Sequence, residues 1–396
     1  MSERIMIVGA GHNQERIIRQ AVDLGYYVAV IDGNSSAPGL QYAHKAFVAD
    51  IMNPTTIVKA AMEHKIDGIV PAAELSVEAV SIACQQLGLP GASVNAARCM
   101  RNKRIMRDTL VSAGISCPVY SYTNELGVAC EVADRLGYPL VTKPVDGNAS
   151  RGVRHVNSDI ELHEAFEIAK AAARNGIVLL ESFMDGNEFS LDGIMYHGDY
   201  YLGGIAGKRR SPLPYRYDTA LFMPAPLEQT ETERLIQATA SALCAVGFDL
   251  GATHVEVIMT PEGPHIVEMA GRPGGARIAT DLIPLAYGMD YTEDLLRVAL
   301  DQPPKRKHSI IAGSAIEWIS APSGKLRRIC GLESAASVPG IVDVVVRAYP
   351  GMMLHAPVDC VSRDMLGYVL ASGQTASDAL EACDQACTHI QTLFDY

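Results

Sequence analysis

Thr253-His254-Val255-Glu256-Val257-Ile258-Met259 and His265-Ile266-Val267-Glu268-Met269 flank the turn-forming stretch Pro261-Glu262-Gly263-Pro264. Two apolar, β-branched runs around a proline–glycine turn read as a β-hairpin. Glu256 and Glu268 are separated by an even number of positions. With a three-residue connection, and Gly263 supplying the positive φ of a bulge, they face each other directly. Val255, Val257, Val267 and Met269 would then point to the other face. Like charges directly opposite on a sheet repel, so the pair needs a reason, and a divalent cation held with nucleotide phosphates supplies one. A two-residue Glu262-Gly263 turn would instead slip the register and send the carboxylates to opposite faces. His254, two positions before Glu256, shares its face by alternation, either as a core histidine or as a proton carrier.

Upstream, Leu140–Lys143 reads as a strand running into Pro144 and the turn Asp146-Gly147-Asn148-Ala149-Ser150-Arg151-Gly152. Backbone N–H groups in such a turn can converge on phosphate oxygens, and Lys143 adds a compact positive charge. No Gly-Lys-Ser/Thr closes the turn, so it is not a P-loop. Glu181-Ser182-Phe183-Met184-Asp185-Gly186-Asn187-Glu188 follows the next apolar strand and reads either as a solvated strand exit or as a hinge that meets a nucleoside. Basic residues gather in Arg98, Arg101, Lys103, Arg104 and Arg107, in Lys208, Arg209 and Arg210, and in Arg272 and Arg277 around Pro273-Gly274-Gly275.

The first 95 residues alternate apolar strands (Ile5–Val8, Tyr27–Ile31, Gly68–Pro71) with helical spacing (Gln14–Leu24, Thr55–His64, Val77–Leu87), which predicts a doubly wound parallel sheet. Gly9-Ala10-Gly11 after the first strand, with Asp32 after the second, suggests a dinucleotide site, but Gln14 stands where its third glycine belongs. Residues 95–113 read as one basic helix, 229–246 as another helix, and the last as 376–394. Gln302-Pro303-Pro304-Lys305-Arg306-Lys307 reads as a linker.

A net charge of −12 argues against an extended nucleic-acid or acidic-membrane surface and makes the basic clusters stand out. Nine cysteines without a CxxC read as reduced thiols. With no leader profile and no apolar run approaching the roughly 20 residues of a membrane span, the expectation is a cytoplasmic, soluble protein.

Taken in order, a lysine on a basic helix, a lysine before a glycine turn, an acidic hinge, paired glutamates and Arg-x-Gly-Gly resemble the ATP-grasp superfamily, in its carboxylate–amine ligase branch. The resemblance implies an ATP-grasp fold mixing α/β and α+β parts. These are an N-terminal α/β domain over 1–95, a grasp domain over 96–305 with a covering lid over about 115–180, and a small C-terminal α+β domain over 306–396. It implies ATP and Mg2+ as cofactors. Lys103 and Lys143 would contact the α- and β-phosphates, and Ser150 would lie in the covering loop. Glu181 with the backbone near Phe183 and Met184 would hold adenine, and Glu188 the ribose. Glu256 and Glu268 would ligate magnesium, Arg272 would stabilise the transferred phosphoryl group, and His254 would help deprotonate the amine. Arg277, Lys208, Arg209 and Arg210 are candidates for a substrate carboxylate. The partners implied are a small-molecule carboxylate and an amine, and, as in related ligases, a second copy in a homodimer. Many members carry asparagine two residues after the second glutamate, where this chain has Ala270. An ATP-grasp carboxylase, a purine-pathway enzyme and a non-catalytic ATP-binding protein are the alternatives.

Overall fold

The computed structural model describes residues 2–305 and 309–395. Arg306 and Lys307 of the expected linker lie outside the described residues.

Strands β1 (Arg4–Val8), β2 (Tyr27–Asp32), β3 (Lys45–Val48) and β4 (Gly68–Pro71) form a parallel sheet in the order β3-β2-β1-β4. Side chains alternate across it. Ile5, Ile7, Val28 and Val30 pack with Ile17 and Ile18 of the helix Glu15–Asp23. Met6, Val8, Ala29 and Ile31 pack against the helices Pro54–His64 and Val77–Leu87 on the other face. The edge strand β3 has almost no buried side chain, so it carries no apolar run to announce it.

The basic segment expected as one helix is two, Val94–Arg101 and Lys103–Ser112. Asn102 breaks it: its backbone is extended, and its side chain caps the second helix by accepting from the N–H groups of Arg104 and Ile105. Lys103 is thereby set at the first turn of a new helix, with its own N–H bonded to the Val145 carbonyl at 2.8 Å.

Strands β5 (Tyr120–Thr123), β6 (Leu140–Pro144), β7 (Arg154–Val156) and β8 (Val178–Ser182) form an antiparallel sheet in the order β5-β8-β6-β7. The helices Leu126–Leu136 and Asp159–Ala172 cover one of its faces.

The central sheet holds β9 (Asn187–Tyr196), β10 (Asp199–Arg210), β11 (Asp218–Met223), β12 (Leu250–Thr260) and β13 (Gly263–Ala270), and runs on into β14 (Gly313–Trp318). The last segment adds β15 (Gly324–Cys330), β16 (Ile341–Val346), β17 (Met353–Leu354), β18 (Gly367–Gly373) and β19 (Gln391–Asp395). Eight strands make one sheet in the order β13-β12-β9-β10-β11-β14-β18-β16, while β17-β15-β19 form a small separate one. Leu235, Ala242 and Leu243 of the helix Gln229–Ala245 bury the face carrying Leu191, Val255, Val257 and Met269. On the opposite face Ile194, Ala206 and Leu221 pack against Ile278, Leu282, Ile283 and Tyr287, and the stretch that carries Glu188, Ser190, Asp192, His254 and Glu256 is polar. The final helix stops at His389 rather than 394, because Thr392, Leu393 and Phe394 pair with β15. No described helix is long and apolar enough to cross a membrane.

Candidate functional site

Glu256 pairs directly with Glu268 across the hairpin, but not through the turn expected. Thr260 pairs with Gly263, so the connection is the two residues Pro261 and Glu262. The even spacing is restored further along, where the register shifts between Glu256 and Val257 and leaves Val267 as the extra residue of a bulge. Val267 therefore does not join Val255, Val257 and Met269 in the core; it lines the cleft.

β9 carries Glu188, Ser190 and Asp192 on this same face. Register sets Ser190 beside Glu256, Asp192 beside His254, and Glu188 beside Ile258. A file of acidic groups on one sheet face is unfavourable unless cations are interleaved. Lys208, with its side chain 1% exposed, bonds Glu188 at 2.9 Å and also bonds Glu256. Arg210 and Arg216 reach Glu188 at 3.1 and 3.3 Å. Burial alone would raise the Glu188 carboxyl, but Arg210, Lys208 and Arg216 hold it far below the usual range. Lys103 bonds Glu268 at 2.9 Å and the Gly147 carbonyl at 2.8 Å. Lys143 bonds Glu181 at 2.6 Å. Burial opposes the Glu181 charge, yet Arg107 and Lys143 lower its pKa.

Several of these groups line an open cleft between the sheet of β5–β8 and the hairpin. Lys103, Lys143, Ser150, Glu181, Phe183, Met184, Glu188, Glu256 and Glu268 all border it. The Phe183 N–H is taken by the Pro139 carbonyl at 3.1 Å, so that group is not free to meet an adenine edge.

A second, larger cavity opens on the other side of the glutamate pair and shares Asn148, Ser150, Glu256 and Glu268 with the first. Arg272 lines it, bonded to Glu74 at 2.6 Å, and Arg101 holds the other Glu74 oxygen at 2.9 Å. Burial works against the Glu74 charge, but Arg272 and Arg101 keep its pKa low. His254 Nδ1 lies 2.9 Å from Asp192 Oδ2, and its Nε2 lies 4.0 Å from Glu256. Asp192 Oδ1 accepts the Gly274 N–H at 2.8 Å, so one buried carboxylate fixes both the histidine and the Arg-Pro-Gly-Gly loop.

The basic residues expected to meet a substrate carboxylate divide. Lys208 is locked between Glu188 and Glu256, and Arg210 borders the first cleft, tied to Glu188 and Asp218. Arg209 points to the opposite face, because successive strand residues alternate; it binds Glu317 and Asp384 there. Arg277 borders neither cavity. Its backbone is left-handed at φ 65°, and its guanidinium bonds Tyr368 Oη at 2.7 Å. Asp192, Glu74 and Arg216 were not anticipated, and Arg107 only as one member of a basic run. The even spacing Glu188, Ser190, Asp192 was the available signal for Asp192, and the i, i+4 relation to Lys103 for Arg107.

The chain matches three family models: an ATP-grasp N-terminal domain over residues 18–91, an ATP-grasp domain over 136–281, and an L-amino acid ligase C-terminal domain over 317–393. An uncharacterized protein of Sinorhizobium fredii, y4rH, is 31% identical over 320 residues, which are 79% of this chain and 65% of that protein. The formate-dependent phosphoribosylglycinamide formyltransferase of Marinobacter nauticus is 23% identical over 406 residues, covering 99% and 98% of the two chains. The crystal structure of an L-amino acid ligase from Bacillus licheniformis superposes with a TM-score of 0.85 at 20% identity, covering 100% of this chain and 99% of that one. That likeness speaks for the fold.

Proposed function

Because the chain belongs to the ATP-grasp superfamily, we propose that it is an ADP-forming ligase joining the carboxylate of one amino acid to the amine of another. The observation that carries this reading is the meeting of two cavities at Glu256 and Glu268. A nucleotide in the first cleft and a carboxylate in the second would bring their reacting ends together there.

In this reading the carboxylate attacks the γ-phosphorus of ATP, ADP leaves, and the amine then displaces phosphate from the acyl phosphate to leave an amide. The protein's part is positioning and charge neutralisation. Lys103 and Lys143 face the phosphates, the loop 147–152 covers them, and Arg272 faces the transferred group. His254, oriented by Asp192, is the residue we place beside the incoming amine. Two directly opposed carboxylates offer the hard oxygen donors that suit Mg2+ when phosphate and water complete its shell. Among the described residues no group of three or more His, Cys, Asp or Glu forms a cage that would hold an ion unaided. Glu256 and Glu268 would hold the ion, which would neutralise phosphate charge.

An amino-acid substrate is favoured over a phosphorylated one by the second cavity's cations. Arg272 is already paired with Glu74, and Arg363 with Asp364 at 2.8 Å. In the glycine turn after β1 the first two N–H groups are engaged as well, Gly9 by the Ile31 carbonyl at 2.9 Å and Ala10 by Asp32 at 2.6 Å. The match of residues 317–393 to an L-amino acid ligase domain supports the same choice. A screen of phosphate release over pairs of amino acids with ATP and Mg2+ tests it. Release requiring both partners, and lost in Glu268→Gln and Lys143→Ala, is expected; release only with a phosphoribosyl amine would overturn the substrate. Homodimerisation is part of the proposal and is read by light scattering.

A further inference from the structure

Arg107 is 0% exposed, lies one helical turn after Lys103, and borders neither cavity. A wholly buried guanidinium is costly unless its geometry is used, and here it is used twice. Its Nε donates to Glu181 Oε1 at 2.8 Å, while the other oxygen of Glu181 holds Lys143 at 2.6 Å. Its Nη2 donates to the Val267 carbonyl at 2.6 Å. Val267 is the extra residue of the bulge, and an extra residue leaves a backbone group without its ladder partner. Arg107 supplies that partner. Nη2 also lies 2.8 Å from Glu181 Oε1, and Nη1 is buried with no hydrogen bond among the described residues, so the guanidinium is committed to Glu181 and Val267.

The bulge decides where Glu268 points. Continuing the register of Thr260↔Gly263 through Val257↔Ile266 would set Glu256 opposite Val267 and turn Glu268 to the other face. Arg107 thus ties two otherwise separate parts together: the lysine on β6 that faces the phosphates, and the strand distortion that brings the carboxylates opposite one another. Helix geometry sets it one turn from Lys103, which bonds Glu268 directly, so one rigid helix addresses the hairpin at two points.

We infer that Arg107 is a positioning residue for the magnesium–nucleotide site, setting Glu268 against Glu256 through the Val267 bulge and Lys143 through Glu181 without touching either ligand. The inference rests on the ligase reading, and the test separates the two.

Binding of a non-hydrolysable ATP analogue is measured by calorimetry across a magnesium titration, for the wild type, Arg107→Lys and Arg104→Lys. The lysine keeps a positive charge beside Glu181 but cannot fork to the Val267 carbonyl. Outer residues that orient metal ligands typically change metal affinity by roughly 10–100-fold, and a rise of that size in half-saturating magnesium is expected for Arg107→Lys. Arg104→Lys, the same change at a half-exposed residue of the same helix that borders neither cavity, should leave the value unchanged. A residue that merely stabilised the fold would lower the melting temperature without moving half-saturation in the folded protein. A folded Arg107→Lys with wild-type half-saturation overturns the inference. Should it not fold, Arg107→Gln, neutral and shorter in reach, is held to the same criterion. A wild-type protein whose analogue binding ignores magnesium would overturn the ligase reading instead.

Discussion

Replacing Gly274 with alanine should be severe, and the same change at Gly275 nearly silent. A Cβ on Gly274 would stand 2.2 Å from Asp192 Oδ1 and 2.8 Å from its Cγ, whereas one on Gly275 would meet nothing within 4 Å. Neither glycine uses the left-handed region, so the two substitutions differ in the clash alone. Asp192 is fully buried and cannot retreat without giving up the Gly274 N–H at 2.8 Å and His254 at 2.9 Å. Hydrogen bonds to a charged group contribute about 1.5–3 kcal/mol each, so losing both costs about 3–6 kcal/mol. If the lower figure falls on the transition state, kcat/KM drops roughly 10²-fold. The assay is phosphate release with the best substrate pair, beside melting curves for both variants. An Asp192→Ala background gives the cross-check, because it removes the obstructing carboxylate. Adding Gly274→Ala there should do little more, leaving a coupling close to the whole single effect. Equal activity in Gly274→Ala and Gly275→Ala, or additive losses in the cycle, would refute the steric argument.

Neighbours on β10 should behave oppositely: Lys208→Met should abolish nucleotide-dependent turnover, and Arg209→Ala should leave kcat/KM within about twofold, because Arg209 and its partners Glu317 and Asp384 border neither cavity. Burial, and the nearby Asp384, raise the Glu317 carboxyl to about 7 despite Arg209. Its folded pKa then exceeds the unfolded one, near 4.3, so the folded state keeps a proton that the unfolded chain has lost. Stability from this group falls as pH climbs from about 4.5 to 7, and Glu317→Gln should flatten melting temperature over that window; a steeper slope in the variant would count against it. Ala270 pairs with His254 beside Glu268, so Ala270→Asn adds an oxygen donor there, and half-saturating magnesium should fall; no change would place position 270 out of reach of the ion.

The N-terminal sheet was readable because a parallel sheet buried on both faces writes itself as short apolar runs separated by helices. Its edge strand β3, exposed along most of its length, wrote nothing of the kind. The strand positions of Lys143, Glu181, Glu188, Glu256 and Glu268 were readable for a related reason: each is a charge on or beside an apolar strand. What alternation cannot say is which neighbour a side chain meets. Lys208 and Arg209 are adjacent in sequence, yet one lies between Glu188 and Glu256 and the other on the far face with Glu317 and Asp384. Arg277 looked equivalent to Arg272 across Pro273-Gly274-Gly275, but a left-handed backbone at Ala276 and Arg277 turns it toward Tyr368.

The hairpin makes the limit sharpest. The twelve positions from Glu256 to Glu268 are compatible with a three-residue turn, and equally with a two-residue turn followed by a bulge. Both bring the carboxylates together, so the face of Glu268 could be inferred while its cause could not. The difference falls on Val267, which one arrangement buries and the other presents to the cleft. What favours the second is a hydrogen bond from a helix some 160 residues earlier in the chain. A local pattern carries no trace of so distant a donor. The pairing of the glutamates is therefore a tertiary property, and it should fail when Arg107 is changed even though every residue of the hairpin is left intact.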